Sequence, residues 1–160
     1  MTVISSCGTY RYRLTRQLGE GAGTCCFVML NPSTADASID DPTIRRCMGY
    51  ARSFGCAELL VVNLFAYRAT DPRVLYAMAP DRAVGPDNDA YIRDACDAAQ
   101  LVICAWGNHG AHASRAQKVL TLIRQQGVRP MALKINAATG QPAHPLYLKA
   151  TLQPIEIERS

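Results

Sequence analysis

The sequence predicts an α/β three-layer sandwich with a mostly parallel central sheet. Three observations predict it. Four short apolar runs, at 25–30, 59–62, 101–105 and 131–135, have the length of buried strands. Between them lie segments with apolar residues at spacings of three and four, as amphipathic helices require. The strands end in polar loops rich in Asn, Pro, Gly and His, which a parallel sheet would bring to one edge.

The 160 residues fit one α/β domain, 1–160, long enough to bury a core without staples. Hydrophobic residues make up 49% and charged residues 19%, a soluble globular composition without an apolar run of membrane-spanning length. The first residues lack a basic region followed by an apolar stretch, so no signal peptide is expected and the cytoplasm is the expected location. Seven cysteines, an odd count with no C-x-x-C pair, read as reduced and mostly buried thiols. That spacing argues against a zinc or iron–sulfur site, and no metal or cofactor is expected. A formal charge of +4 permits a nucleic-acid partner without requiring one.

Taken in order, residues 10–14 alternate aromatic or apolar with basic side chains, a half-exposed strand. Gly19, Gly21 and Gly23 follow. A phosphate-binding loop would need a helix next, with Lys and Ser or Thr; another strand follows instead. The glycines therefore read as the turn of an N-terminal hairpin, 8–30, feeding the central sheet. Pro32 ends the strand at 25–30, because it has no N–H for the ladder and holds Asn31 out of the helical region. Asp41 is a good N-cap and Pro42 suits the first helical position. The helix they open carries Ile44, Cys47 and Ala51 on one line and ends near Gly55. Arg45, Arg46 and Arg52 lie off that line, as a solvated face or, in the sharper reading, as phosphate contacts.

The run at 59–62 ends at Asn63 and opens a long loop to Pro72, where Asp71 repeats the cap chemistry of Asp41 before a short helix. Asp87 or Asn88 can cap the helix that carries Tyr91, Ile92, Ala95 and Ala99. The run at 101–105 breaks at Trp106 and Gly107, and a helix over 113–126 closes at Gly127. A fourth strand, 131–135, leads to a polar segment containing His144 and Pro145. The tail at 155–158 alternates and belongs at an edge.

Asn31, Asn63 and His144 thus stand at successive strand ends, where open α/β sheets bind ligands. Asn31 and Pro32 after a strand resemble the first motif of the uracil-DNA glycosylase superfamily. Asn63 with Arg68 and Pro72 resembles a base-reading strand end of that superfamily. Trp106 and Gly107 are similar to its strand-to-helix turn, and His144 with Pro145 to the start of its second catalytic motif.

This resemblance implies a uracil-DNA-glycosylase-like fold and a nucleotide or nucleic acid as partner, with no membrane. It implies that Asn31 holds a water and that His144, if neutral, donates to the base carbonyl that gains charge, making these two the catalytic candidates. It implies that Asn63 reads the base edge and that Phe65 or Tyr67 stacks on the base. Pro32, Ser33, Arg68, Trp106 and Gly107 complete the base- or phosphate-binding set. The activity implied is hydrolysis of a nucleobase N-glycosidic bond. The alternative is a non-catalytic binding module of the same fold. Two departures favour it: an amide cannot take a proton from water, and Leu146, Tyr147 and Leu148 replace the expected Ser-Pro. A metal-dependent hydrolysis through Asp36, Asp40 and Asp41 with His109 or His112 has only loose spacing behind it. Over a longer stretch, the run from Leu30 to Asp36, with Asp41, Pro42, Thr43, Asn63, Leu64, Phe65 and the later motifs, resembles domain-of-unknown-function family 1643.

Overall fold

The apolar run at 25–30 does not alternate because both its faces are covered. In the computed structural model, which describes residues 2–33 and 40–159, it forms β3 (Thr24–Met29), the middle strand of a seven-stranded sheet. β4 (Glu58–Asn63) and β5 (Leu101–Cys104) flank it in parallel, and β6 (Met131–Ala132) continues the parallel set. Antiparallel strands close both sides. β2 (Arg11–Gln17) pairs with β4 and carries β1 (Val3–Ile4), and β7 (Ile155–Glu156) pairs with β6. The order is β1-β2-β4-β3-β5-β6-β7. The sheet is therefore mixed, a parallel core of four strands with antiparallel edges, rather than mostly parallel.

The hairpin expected over 8–30 does not form, because β4 lies between β2 and β3. Gln17 and Thr24 both stand opposite Glu58, so the glycine-rich loop crosses the start of β4 instead of turning back. Gly21 makes the crossing possible: its φ is +131°, and a Cβ there would meet the Gly55 carbonyl oxygen at 2.6 Å. The exchange has an energetic reason. Leu59, Leu60, Val61 and Val62 are all buried, so β4 gains most from an inner place, while the alternating β2 can serve further out.

Helices cover both faces of the sheet. α1 (Pro42–Ser53) opens as the sequence dictates, with Asp41 Oδ1 accepting from the Ile44 N–H at 2.8 Å. Its Ile44, Cys47 and Ala51 pack in one cluster with Phe27, Met29, Leu59 and Val61. The chain then forms α2 (Arg73–Tyr76), α3 (Pro80–Val84), α4 (Asn88–Ala98), a 3-10 helix (Asn108–Ser114) and α5 (Arg115–Gln125). α4 and α5 send Ile92, Ala95, Val119 and Ile123 against Cys26, Val28, Leu60, Val62 and Cys104 on the opposite face. No described helix is long and apolar enough to cross a membrane.

Two expected details differ. Asp87 makes no side-chain cap bond at α4, and Asn88 is wholly buried, donating to the carbonyls of Asn63 (2.9 Å) and Leu64 (3.1 Å). The reason lies in the β2–β4 register. Four residues separate Tyr10 from Leu14, but six separate their partners Tyr67 and Val61. The end of β4 swings away from β2, and Asn88 and Arg115 satisfy the carbonyls left without a ladder partner. The strand expected over 131–135 is also short. Past Ala132 the chain bonds to itself, Asn136 N–H to Gln141 O and Ala143 N–H to Lys134 O, and this excursion delivers His144 back to the sheet edge.

The cysteines are free thiols, Cys7 exposed and the other six buried. Burial pushes the Cys26 and Cys104 thiols well up, and the Cys96 thiol up to about 12. Hydrogen bonds with Ser5 and then Thr9 bring the Cys7 thiol down to about 7. Iodoacetamide is therefore expected to label one thiol in the native protein, Cys7, and the remaining six only after denaturation. A second native thiol reacting at the rate of Cys7, seen by intact mass, would contradict this burial.

Candidate functional site

β3 leads over its carboxyl end to α1 on one face of the sheet, while its neighbour β5 leads to α5 on the other. The chain leaves adjacent strands in opposite directions, and such a divergence opens a crevice at their carboxyl ends. A pocket of about 740 Å³ occupies this edge, within the range of small-molecule sites.

The pocket brings together Asn31, Ser33, Asn63, Trp106, Gly107 and His144. It does not include Pro32, Phe65 or Arg68. Pro32 is buried and its carbonyl accepts from the Ala69 N–H at 3.0 Å. Phe65 belongs to the core on the α4–α5 side, its ring 5.9 Å from that of His112. Arg68 donates to the Gly8 carbonyl at 3.2 Å and lies on a neighbouring surface with Thr9 and Tyr67. These three fall away because the chain past Asn63 turns toward β2, where Tyr10 bridges to Tyr67. Asp36 lies outside the described residues.

Asn63 ends β4 opposite Met29 and is only 3% exposed. Its carbonyl is held by Asn88, and the residue lines the pocket. Asn31 is differently employed. Its Nδ2 donates to Ala69 O at 2.7 Å and Pro32 O at 3.2 Å, so the amide clamps the two strand-end loops together. Only Oδ1 is left to engage a water or ligand.

His144 is oriented by its own turn. The Leu146 N–H donates to Nδ1 at 3.2 Å, which places the proton of the neutral imidazole on Nε2. Burial lowers the pKa of His144 from its usual 6.5, and the charge of Asp41 opposes this. The neutral ring, a donor through Nε2–H, is thereby favoured near pH 7. The unfolded chain binds the proton more readily than the folded one, so stability rises with pH across the window from the lowered folded value up to about 6.5. Urea midpoints are expected to fall as pH drops through that window, and His144→Gln is expected to flatten the fall. Equal slopes in the two proteins would assign it to other groups.

Gly107 sets this arrangement through its backbone. Its φ of +76° and ψ of −172° suit glycine, and its N–H donates to Pro142 O at 2.9 Å. That N–H is thus spent on positioning the segment before His144, not on a phosphate as the sequence suggested. Trp106 is buried with Nε1 donating to Gln141 Oε1 at 2.8 Å, tying the same segment to the end of β5.

Two charged residues also enter the pocket: Arg11, which the sequence did not nominate, and Asp41, which it weighed as a helix cap and for a metal-dependent hydrolysis. Asp41 caps α1 through Oδ1 and accepts from Ser33 Oγ at 3.4 Å through Oδ2. Among the described residues that line the pocket it is the acidic one. Arg11 is 4% exposed, and its buried Nε has no hydrogen-bond partner among the described residues. Burial lowers its pKa, as does the nearby charge of Arg68. The alternation at 10–14 made Arg11 look like a solvent-facing residue. In the fold Tyr12 stacks on Tyr91 of α4, ring centroids 4.9 Å apart, and the adjacent Arg11 points the other way, inward.

No three His, Cys, Asp or Glu side chains come together as a metal-binding group among the described residues. Asp40 pairs with Arg16 at 2.6 Å, and His109 Nδ1 lies 2.9 Å from the Tyr76 hydroxyl.

A family model described as "Protein of unknown function (DUF1643)" matches residues 11–146, a span that holds every pocket residue named above. No curated protein and no solved structure matches the chain.

Proposed function

The chain belongs to the DUF1643 family, and we propose that its pocket recognises a nucleobase, presented by a nucleotide or a nucleic acid. One observation carries the reading. Asn63, only 3% exposed at a strand end, lines the same pocket as His144. An amide offers a donor and an acceptor side by side, the pattern that complements the pairing edge of a base. His144, held as the Nε2–H tautomer, supplies a second donor for a base carbonyl. The motif order along the strand ends supports a uracil-DNA-glycosylase-type fold as part of this reading. The free thiols are in keeping with a place in the cytoplasm.

A second reading, N-glycosidic hydrolysis, is favoured by Asp41 sharing the pocket with His144. In that reaction a water attacks the anomeric carbon and gives its proton to Asp41. The base leaves with the bonding electron pair, and His144 Nε2–H stabilises the charge on its carbonyl. Asn31, through Oδ1, orients the water.

The test has two arms. Nucleosides and mononucleotides are titrated into the protein by calorimetry. Single- and double-stranded DNA carrying uracil, hypoxanthine or mismatched thymine is assayed for released base. Saturable binding without release supports a binding module. Release that disappears in Asp41→Asn and His144→Ala supports the hydrolase. The absence of both binding and release would overturn base recognition.

A further inference from the structure

We propose that Arg11 is the anion-binding residue of this pocket and that the ligand it receives carries a phosphate group. The choice of phosphate over other anions rests on the nucleobase reading; the need for an anion does not.

The argument begins with the cost of burying a guanidinium. A buried cation is retained where it is paired or hydrogen-bonded. Another buried arginine, Arg115, obeys this: it donates to Leu64 O at 2.8 Å and pairs with Asp89 at 2.5 Å. Arg11 is buried to the same degree, yet its enclosed Nε has no hydrogen-bond partner among the described residues. Its side chain lines the pocket.

The surroundings supply an opposing charge but no hydrogen bond to it. Asp41, the acid of the pocket, acts on Arg11 through its charge, while its two carboxylate oxygens are engaged by the Ile44 N–H and by Ser33 Oγ. Arg16, close enough to act on Arg11, gives its own charge to Asp40. Arg68 adds a further positive charge nearby. A buried guanidinium on a pocket wall, with its Nε unpartnered, fits a phosphate, which such a group grips through two parallel hydrogen bonds. Asn63, His144 and Arg11 then divide one ligand between them, the amide and imidazole taking the base and the guanidinium the phosphate. The pocket, about 740 Å³, is large enough for both parts.

The test uses the full chain with three probes: inorganic phosphate, the common nucleosides, and their 5′-monophosphates. A dinucleoside monophosphate separates a phosphodiester from a terminal phosphate. Calorimetry is run on the native protein, Arg11→Gln and Arg11→Lys. The Nε–H resonance of Arg11 is followed by NMR in the native protein, so the result stands even if a variant folds poorly.

Monophosphates are expected to bind about tenfold or more tightly than nucleosides, the gain of a charge-assisted pair. Arg11→Gln is expected to close that gap and Arg11→Lys to restore part of it. Phosphate and monophosphates are expected to shift the Arg11 resonance. A gap that persists in folded Arg11→Gln, or a resonance that no phosphate probe moves, overturns the proposal. Nucleosides that bind with no gain from phosphate remove the role of Arg11 and leave base recognition standing. Inorganic phosphate that binds at Arg11 as tightly as any nucleotide removes base recognition and leaves the role of Arg11.

Discussion

Gly110→Ala is expected to lower folding stability by about 3 kcal/mol, the upper part of the range for overpacking a filled core. A Cβ at this position would lie 2.0 Å from Trp106 Cδ1 and 2.5 Å from Nε1. The indole cannot step aside cheaply. It is 1% exposed, packed in the core of the α4–α5 face, and anchored through Nε1 to Gln141. Moving it breaks that bond and displaces the segment that delivers His144, so the pocket should be disturbed along with the core. The chain has one Trp, and its fluorescence reports the urea midpoint and the local environment together. An unchanged midpoint would mean that the ring has room which the packing denies it. Gly49 provides the contrast. It lies in α1 with nothing within 4 Å of an added Cβ, and Gly49→Ala is expected to raise stability by about 0.5–1 kcal/mol through helix propensity.

The second large effect is expected on binding. Asn63→Ala should lower affinity for the base-containing ligand by about 10- to 100-fold, the cost of losing one or two buried hydrogen bonds that the ligand cannot replace. Stability should stay within about 0.5 kcal/mol of the native value, because the residue lines a pocket that its truncation only widens. This pairing of outcomes separates a ligand-reading side chain from a structural one. A side chain that held the fold would lower the melting temperature, and one that did neither would leave both measurements unmoved. Asn63→Asp makes a finer prediction. It exchanges the donor for a second acceptor, so a base edge that needs both should be rejected at least as strongly as by Asn63→Ala.

These two residues also show where sequence reasoning reached its limit. The place of Asn63 follows from local rules: an apolar run of strand length, an Asn at its end, and the tendency of parallel strands to gather their carboxyl ends. The same rules hold for Asn31 before Pro32 and for Asp41 before Pro42. The importance of Gly110 is invisible in such terms. It arises because a residue four positions earlier, Trp106, lies flat against it, held there by Gln141 from a separate loop.

Strand and helix positions, the capping of α1, the burial of the cysteines and the sheet edge that carries the pocket were therefore determined by the sequence itself. Each depends on sterics, periodicity or hydrophobicity over a few adjacent residues. Which strand pairs with which was decided by the tertiary structure. β4 enters between β2 and β3 because an all-apolar strand gains most when both its neighbours and both its faces are filled. That insertion sends Arg68 to an outer surface, sinks Phe65 into the core and turns Arg11 inward. The membership of the pocket thus rests on long-range packing, where the burial of many side chains outweighs the local preference of any one of them.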